Sequence, residues 1–208
     1  MDITVITGDK ENASLLREMY HVRAKIFKGR LGWSVRADKG LESDEFDADE
    51  TRYILVRYQN RVVGCARFLD FAGPTMVGSH FSTLLERPIA SLTHKAVESS
   101  RFCVDTEALR QEGEALGGQA TSLLISAMIG WAALHHYQTI ITVTDVVVER
   151  LLRRLDVPFQ RLGQPQQIEN TRAVAGRVDV SAALGCKIMP LPLCHTGSVS
   201  DLTQAFAQ

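Results

Sequence analysis

The chain of 208 residues is 45% hydrophobic and 7% aromatic, so it is long enough and apolar enough to bury one substantial core. Its 23 basic and 24 acidic side chains give a formal net charge of -1, which lacks the basic excess of nucleic-acid-binding proteins and excludes that class. The sequence has neither an apolar window of about 18 residues nor a signal-peptide pattern, so we expect no membrane span and no export.

The first predicted elements are a strand over residues 3–7 and a helix that Asn12 caps and that ends at Gly29. Apolar residues at helical spacing support this helix. Arg23 and Phe27 are four residues apart in it, so they share one face and can line one pocket.

A long loop is expected over residues 34–50, where six of the last nine residues are acidic. Most such acidic runs are solvated surface. However, Arg23 and Arg67 lie in otherwise apolar elements, and each would need a carboxylate partner if it is buried. Asp44 and Asp47 are the candidate partners. Such an ion-pair network would also form a polar cleft for a zwitterionic amino-acid ligand.

Beyond the loop, strand patterns alternate with helix patterns. Two β-rich runs flank Gln59-Asn60 and predict a hairpin with Asn60 in a left-handed turn position. Residues 119–136 are apolar almost all round, as in a helix that is buried on both sides. The elements predicted after the loop are strands over 52–58, 61–71, 96–104, 139–144, 157–162 and 172–180, a short helix over 81–85, the helix over 119–136, and a helix over 146–155 that Asp145 caps.

This alternation, with one antiparallel hairpin, predicts an α/β protein that has a mixed sheet with helices on both faces. We expect a single domain over residues 1–190. Residues 191–208 show no convincing pattern and are expected to form a mobile C-terminal tail.

The four cysteines form no Cys-x-x-Cys pair, and three lie in or beside apolar strand-like runs. Buried, reduced thiols in a cytoplasmic protein fit this pattern best. The histidines have no metal-ligand partners at useful spacing, and the common nucleotide, zinc-protease and serine-hydrolase motifs are absent. We therefore expect no metal site.

The predicted strand over 96–104 carries an unusual set of polar residues. If the strand alternates regularly, Glu98 and Ser100 share one face, and Arg101 faces the other unless a bulge redirects it. These residues could be edge-strand charges in water. Alternatively, Glu98 is a general base that takes a proton from an amine, directly or through water.

Several of these residues belong to a longer pattern. Nine positions follow the order and approximate spacing of one family signature: Arg23, Phe27, Trp33, Asp44, Asp47, Arg67, Phe81, Glu98 and Arg101. At these positions the chain resembles the N-acyl-homoserine lactone synthases, the autoinducer synthases of bacterial quorum sensing. Strings such as 73–76, 98–106 and 170–171 are similar to those of the rhizobial type, and the similarity extends from about residue 15 to residue 180.

The resemblance implies an acetyltransferase-like (GNAT-like) fold, with the acyl donor in a cleft where two central strands splay apart. Residues 117–120 only approximate the turn by which ordinary acetyltransferases hold the pyrophosphate of coenzyme A. This departure fits a donor on the phosphopantetheine arm of acyl carrier protein but does not exclude an acyl-coenzyme A donor. The implied reaction is acyl transfer to the amine of S-adenosylmethionine, followed by lactonisation, with S-adenosylmethionine as a substrate and no cofactor.

The resemblance also assigns residue roles. Glu98 would deprotonate the amine, and backbone N–H groups near Arg101 and Phe102 would bind the oxyanion. A threonine at position 142 would favour a 3-oxo acyl chain. The expected S-adenosylmethionine pocket comprises Arg23, Phe27, Trp33, Asp44, Asp47 and Arg67. The expected acyl and phosphopantetheine site comprises Met76, Phe81, Ser100, Phe102, Leu123, Met128, Ile140, Thr142 and Thr144.

Two of these assignments have simpler alternatives. Phe27 and Trp33 could be core aromatics beside a helix rather than a wall around the sulfonium. The helix over 146–155 is expected to turn Val147 inward and to carry a basic patch on its opposite face, which is either a solvated surface or a docking site for acidic acyl carrier protein. The patch comprises Arg150, Arg153 and Arg154.

Two other classes of function remain. The chain could be an ordinary coenzyme A-dependent N-acetyltransferase, or a non-enzymatic module that binds a carrier protein. The missing pyrophosphate turn disfavours the first alternative. The charged residues of the signature would be superfluous in the second.

Overall fold

The computed structural model describes residues 1–190. The strands are β1 (Asp2–Thr7), β2 (Ala37–Asp38), β3 (Leu41–Glu42), β4 (Arg52–Tyr58), β5 (Arg61–Asp70), β6 (Ala96–Val104), β7 (Thr139–Asp145), β8 (Phe159–Arg161), β9 (Gln166–Ile168) and β10 (Thr171–Asp179). Eight of them form one sheet in the order β1-β4-β5-β6-β7-β10-β8, with β9 paired to β10, while β2 pairs with β3.

Helices precede, follow and connect these strands. The α-helices are α1 (Ala13–Arg23), α2 (Met76–Ser79), α3 (Thr106–Glu112), α4 (Leu116–Leu134), α5 (Val146–Arg154) and α6 (Ala182–Ile188). A π-helical segment, Ala24–Arg30, continues α1, and short 3-10 helices cover Lys10–Asn12, Ser82–Leu84 and Ile89–Ser91.

The central strands β6 and β7 are parallel and separate before they end. Their pairing covers Ala96–Ser99 of β6 and Thr139–Thr142 of β7. β6 then continues to Val104 and β7 to Asp145 without further pairing between them. The sheet is therefore open between these two strands, as the family resemblance implied.

Helices cover both faces of the sheet. Along β4, Ile54 and Val56 pack in one apolar cluster with residues of α4, whereas Tyr53 and Leu55 pack in another cluster with residues of α1. Because side chains of a strand point alternately to opposite faces, α4 and α1 lie on opposite sides of the sheet. The predicted α/β architecture is confirmed.

The β4–β5 hairpin is also confirmed. Gln59 and Asn60 have φ angles of 49° and 61°, so both turn residues are left-handed. A two-residue turn with two positive φ angles matches the twist of the flanking strands.

The start of the first helix differs from the prediction. The side chain of Asn12 caps no backbone N–H group of α1. Instead, Asp9 accepts a hydrogen bond from the N–H of Glu11 and caps a short 3-10 helix that leads into α1. The helix then continues through its π-helical segment to Arg30, one residue beyond the predicted end.

Sequence patterns missed the shortest helices. α2, α3 and α6 have four to seven residues, too few for a clear helical period, although a side-chain cap marks the start of each. The helix predicted over 81–85 is a 3-10 turn over Ser82–Leu84. The cap residues are Thr75, Asp105 and Ser181.

Among the described residues, α4 is the one helix that is long and apolar enough to cross a membrane. Two thirds of its apolar window, 67%, is buried inside the protein, so its composition is that of a core helix. The predicted tail over 191–208 lies outside the described residues, and the predicted division of the chain stays a prediction.

Candidate active site

A cavity of about 650 Å³ occupies the gap between β6 and β7. Its wall is formed by the π-helical segment, the loop after it, the open halves of β6 and β7, the start of α5 and the β9–β10 hairpin. This cavity brings together ten of the twenty site residues predicted from the sequence, but Arg23, Asp44, Asp47 and Arg67 of the predicted substrate pocket do not line it. Those that line it are Phe27, Trp33, Met76, Phe81, Glu98, Ser100, Arg101, Phe102, Thr142 and Thr144.

A β-bulge directs Arg101 into this cavity. Cys65 pairs with Cys103 and Arg67 with Ser100, so two residues of β6 lie opposite one residue of β5. Arg101 has a φ of 54°, a left-handed conformation that is uncommon for a residue with a side chain. Because of the bulge, Arg101 lines the same cavity as Glu98 and Ser100, and the predicted regular alternation does not apply.

Arg23 and Arg67 are fully buried and form the predicted ion pairs. The guanidinium of Arg23 donates two hydrogen bonds to Asp47, at 2.8 and 2.9 Å. Arg67 donates two to Asp44, at 2.5 and 3.0 Å, and one to Asp47 at 2.9 Å. The Nε of Arg67 donates to Ser100 at 3.1 Å, which ties the network to β6. Asp44 and Asp47 are therefore internal ion-pair partners, whereas Glu45, Asp49 and Glu50 of the same loop are exposed to solvent.

Sequence analysis missed a third carboxylate of this network, Glu42. Its fully buried side chain accepts hydrogen bonds from Arg23 at 2.5 Å and from Arg101 at 3.1 Å. Arg101 also pairs with Asp44 at 2.7 Å. Since Glu42 and Asp44 are two residues apart, their spacing in an extended segment could have indicated that both point the same way.

The network contains three arginines and three carboxylates, so its formal charge is zero. Burial alone would raise the pKa of Asp47, but its hydrogen bonds and charge interactions with Arg23 and Arg67 outweigh burial and hold that pKa well below its usual range. Burial raises the pKa of Tyr53, whose hydroxyl donates to Asp47 at 2.7 Å. The carboxylate is therefore ionised and held from several sides at neutral pH. A buried network of this kind is stable only while each charge keeps its partners.

Glu98 is a buried carboxyl in the wall of the cavity, with 1% of its surface exposed. Burial raises its pKa to about 7, although a hydrogen bond from the Val77 N–H and the charge of Arg67 act in the opposite direction. A carboxyl with a pKa near neutrality can accept a proton from an amine and release it again. Its environment is therefore suited to general base chemistry.

Two aromatic rings and one guanidinium lie against one another in the wall of the cavity that Glu98 also lines. The rings of Phe27 and Trp33 are 5.1 Å apart at an angle of 14°, and the guanidinium carbon of Arg101 lies 5.6 Å from the Phe27 ring centroid. Phe27 packs in the apolar cluster beneath α1 and Trp33 packs against it, while both line the cavity. Both residues therefore pack in the core and also form part of the cavity wall, and their role toward a substrate stays a prediction.

A second cavity of about 50 Å³ lies next to the first and shares Phe102, Thr142 and Thr144 with it. Met128 and Ile140 line this second cavity, but Leu123 lines neither and is buried in the main core. The cavity instead meets a stripe of α4 that includes Ile125, Met128 and Ile129. Because α4 is apolar all round, its sequence pattern could not indicate which stripe faces a cavity.

Ser99, which sequence analysis did not single out, contributes a hydroxyl to the second cavity. It lies opposite Thr142 in the β6–β7 register, with 1% of its surface exposed. Among the described residues its Oγ has no hydrogen-bond partner. A buried hydroxyl without a partner costs about 1–3 kcal/mol, so this atom is a candidate contact for a polar group of a ligand.

The cysteine beside the cavity is not an activated nucleophile. The sulfur atoms of Cys103 and Cys65 are 3.6 Å apart, and both residues are buried free thiols. The hydrogen bond with Cys65 and burial both raise the pKa of the Cys103 thiol well above its usual value. Reactive cysteines have depressed pKa values instead.

The outer face of α5 differs from the prediction. Val147 is 63% exposed, whereas Leu152 is buried. Positions i, i+3 and i+7 share one helix face, so exposed Arg150 and Arg154 flank Val147 and do not oppose it. Arg153 is turned toward Glu149, to which it donates at 2.8 Å. The predicted patch was Arg150, Arg153 and Arg154. The residues that share one exposed face in the structure are Val147, Arg150 and Arg154, and we call them the α5 outer face.

A family model and named relatives match most of the chain. The family model described as autoinducer synthase matches residues 8–187. The chain is 42% identical over 181 residues to a protein from Sinorhizobium fredii named probable acyl-homoserine-lactone synthase, covering 86% of this chain and 87% of the relative. It is 39% identical over 178 residues to the acyl-homoserine-lactone synthase of Agrobacterium fabrum, and the match covers 85% of this chain and 84% of that relative.

Solved structures show the same fold. The crystal structure of the AHL synthase LasI matches with a TM-score of 0.79 and 31% identity, covering 89% of this chain and 93% of that one. TofI in a ternary complex with an inhibitor and MTA matches with a TM-score of 0.77 and 27% identity, and the match covers 93% of this chain and 100% of that one. At 20% and 15% identity, the CoA-dependent synthase BjaI (TM-score 0.75) and a candidate N-acetyltransferase from Lactobacillus plantarum (0.57) share the fold alone.

Proposed function

The chain belongs to the autoinducer synthase family of acyl-homoserine-lactone synthases, and from this premise we propose that its substrates are S-adenosylmethionine and an acyl-acyl carrier protein. The observation that carries the proposal is the position of Glu98. A buried carboxyl with a pKa of about 7 lies in a cleft that also holds an aromatic pair and an open strand edge.

The stacked pair of Phe27 and Trp33 supports the assignment of S-adenosylmethionine. An aromatic face close to a sulfonium cation is favourable by roughly 0.5–2 kcal/mol. Of the neighbouring ion network, Arg101 lines the cavity, so its guanidinium is the candidate contact for the substrate carboxylate. The similar structure of TofI was solved in complex with MTA. MTA is the usual abbreviation of methylthioadenosine, the by-product expected of this reaction.

In the first step Glu98 takes a proton from the amine, whose nitrogen then bonds to the thioester carbonyl carbon. The bond from carbon to sulfur breaks, and the thiolate leaves with the proton returned by Glu98. The developing oxyanion needs N–H donors. Arg101 and Phe102 are the candidates, because the bulge leaves them unpaired with β5 and the pairing with β7 ends at Ser99.

In the second step the methionine carboxylate attacks the carbon next to the sulfonium and closes the lactone ring. The carbon–sulfur bond breaks, and methylthioadenosine leaves as a neutral molecule. This step requires alignment of the two reacting groups more than proton transfer. Arg67 donates a hydrogen bond to Ser100, which lines the cavity, so the buried ion network stabilises the wall against which the substrate would align.

The α5 outer face supports a carrier protein as the acyl donor. Val147 is exposed and lines the first cavity, and Arg150 and Arg154 flank it on the surface. Acyl carrier proteins are acidic, and a local basic patch on a chain of net charge -1 is suited to steer such a partner. A phosphopantetheine arm that enters beside α5 would place its thioester in the open cleft.

The hydroxyls of the two cavities support a 3-oxo acyl chain. Thr142 lines both cavities, and the Oγ of Ser99 opposite it has no partner among the described residues. A carbonyl oxygen at the third carbon would accept hydrogen bonds in an otherwise apolar tunnel. An unsubstituted chain would leave both hydroxyls without an external partner.

The proposal is tested by incubating the purified protein with S-adenosylmethionine and either acyl-acyl carrier protein or acyl-coenzyme A of the same chain. Mass spectrometry should detect an acyl-homoserine lactone and methylthioadenosine in equal amounts, with higher kcat/KM for the carrier-bound donor. A preference for acyl-coenzyme A would overturn the donor assignment. An acetylated amine formed from acetyl-coenzyme A without methylthioadenosine would indicate an ordinary N-acetyltransferase.

A further inference from the structure

We propose that Asn170 and Thr171, at the tip of the β9–β10 hairpin, are positioning residues that hold Trp33 in place and thereby set the affinity for S-adenosylmethionine. This inference rests on the proposed function, because it assumes that Trp33 contacts that substrate. Neither residue needs to contact the substrate itself.

Three hydrogen bonds connect the hairpin tip to the loop after the π-helical segment. The indole Nε1 of Trp33 donates to the Thr171 hydroxyl at 2.8 Å. The Asn170 side-chain amide donates to the Leu31 carbonyl at 2.8 Å, and the Ser34 N–H donates to Glu169 at 3.1 Å. Three consecutive residues of the hairpin, 169–171, thus each form a hydrogen bond with the loop over residues 31–34. We call this set of contacts the Trp33 bridge.

The Trp33 bridge joins the two sides of the open cleft. On one side, Leu31, Trp33 and Val35 pack against the apolar cluster beneath α1. On the other side, β10 pairs with β7, and their pairing ends where Ala173 meets Asp145, the last residue of β7. Thr171 lies two residues beyond that point, so the hairpin tip extends past the end of β7.

This position matters because the sheet itself does not hold the two sides together there. The pairing of β6 with β7 stops at Ser99 and Thr142, so the strands beyond those residues contribute no backbone bonds across the gap. The Trp33 bridge crosses the same gap through side chains. The bound molecule would therefore lie in a tunnel and not in an open groove.

The bridge also fixes the orientation of the indole ring. The planes of the Phe27 and Trp33 rings form an angle of 14°. This stacking restrains the plane of the Trp33 ring but still allows the ring to slide and rotate within that plane. The bond from Nε1 to Thr171 removes this freedom. A ring that is ordered before the ligand arrives loses less entropy on binding, which increases affinity.

The hairpin tip, residues 169–171, lies beside the first cavity and away from the second. Glu169 and Thr171 line the first cavity together with Phe27 and Trp33, whereas no residue of the tip lines the second cavity, which we assign to the acyl chain. The bridge should therefore affect the KM for S-adenosylmethionine and leave the KM for the acyl donor unchanged.

The experiment compares Thr171→Val, which removes the hydroxyl but keeps the shape, with Thr171→Ser, which keeps the hydroxyl. Thr139→Val, on β7 at the paired end of the sheet, is the matched control. We expect Thr171→Val to raise the KM for S-adenosylmethionine about fivefold, the effect of one lost hydrogen bond. Thr171→Ser and Thr139→Val should behave like wild type, and kcat should be unchanged in all three.

Two further variants separate this inference from the proposed function. Trp33→Phe combined with Thr171→Val should be no worse than Trp33→Phe alone, because both changes remove the same bond. If Trp33→Ala raises the KM for S-adenosylmethionine but Thr171→Val does not, the inference is wrong and the substrate assignment stands. If Trp33→Ala leaves this KM unchanged, both are wrong. If Thr171→Val lowers thermal stability and changes the KM for S-adenosylmethionine and the KM for the acyl donor equally, Thr171 has only a structural role. That result would overturn the inference.

Discussion

Glu98 on β6 and Val77 on α2 are joined by a hydrogen bond of 3.0 Å from the Val77 N–H to the carboxyl oxygen. The bond fixes a central-strand carboxyl against a four-residue helix whose side-chain cap is Thr75. It stabilises the ionised carboxyl, but burial dominates and leaves the pKa at about 7. Near neutral pH the group is therefore partly ionised, which is the condition for moving a proton in either direction.

We expect Glu98→Gln to fold and to lose acyl transfer by a factor of about 10² or more, the usual scale for a positioned general base. In wild type, kcat/KM should rise as the pH passes through about 7, because the base acts in its ionised form. The measurement is the rate of lactone formation between pH 5.5 and 9. Glu86→Gln, an exposed glutamate, is the control. Near-wild-type turnover in Glu98→Gln would remove this residue from the mechanism.

The raised pKa of Glu98 also predicts how stability depends on pH. The folded protein holds this proton up to about pH 7, whereas the unfolded chain releases it near 4.5. Between these values the folded state binds more protons, so Glu98 lowers the free energy of unfolding as pH rises, by at most about 3 kcal/mol. Chemical denaturation of Glu98→Gln should show more stability relative to wild type at pH 8 than at pH 5. A constant difference across that range would contradict the assigned shift.

Arg67→Ala should destabilise the protein strongly. The substitution leaves Asp44 and Asp47 without one of their partners inside the protein, which costs roughly 3–5 kcal/mol in the free energy of unfolding. Arg177→Ala removes a half-exposed arginine near Asp179 and should cost less than about 1 kcal/mol. Urea denaturation measures both. Normal stability with lost activity in Arg67→Ala would instead indicate a direct contact with the ligand.

Thr142→Val and Ser99→Ala should each reduce the preference for a 3-oxo donor over an unsubstituted donor about fivefold, since each removes one hydroxyl from an apolar tunnel. Competition between the two donors, followed by mass spectrometry of the products, measures this ratio. Ser99→Ala should also raise the free energy of unfolding without substrate by about 1 kcal/mol, because it removes a buried hydroxyl that lacks a partner. An unchanged product ratio in both variants would place the selectivity elsewhere.

Reversing the charge of Arg150 and Arg154 to glutamate should raise the KM for acyl carrier protein about tenfold at low ionic strength and weaken its salt dependence. The KM for S-adenosylmethionine should not change. Arg17→Glu with Arg61→Glu makes the same change in net charge on exposed residues of α1 and β5. If both double variants raise the KM equally, net charge and not the α5 outer face controls docking.

Much of the site was predictable because it contains charged residues whose burial costs free energy unless they are paired. Charged side chains such as Arg23 and Arg67 in apolar elements require partners when buried, and Asp44 and Asp47 were the nearest candidates in sequence. Glu42 was missed because the same argument does not say how many carboxylates the two arginines need. In the structure Glu42 pairs with both Arg23 and Arg101, and the second pair depends on the bulge that redirects Arg101.

The sequence by itself determined the local structure: the β-rich run of β4, the apolar period of α1 and the turn at Gln59-Asn60 are all properties of short segments. The family signature, too, depends only on the order and spacing of residues along the chain. Tertiary structure alone decided which stripe of α4 meets a cavity and that Val147 faces outward. It also decided that Trp33 bonds to Thr171, 138 residues away. Contacts over such separations depend on how the elements pack together, and neither helical nor strand periodicity carries that information.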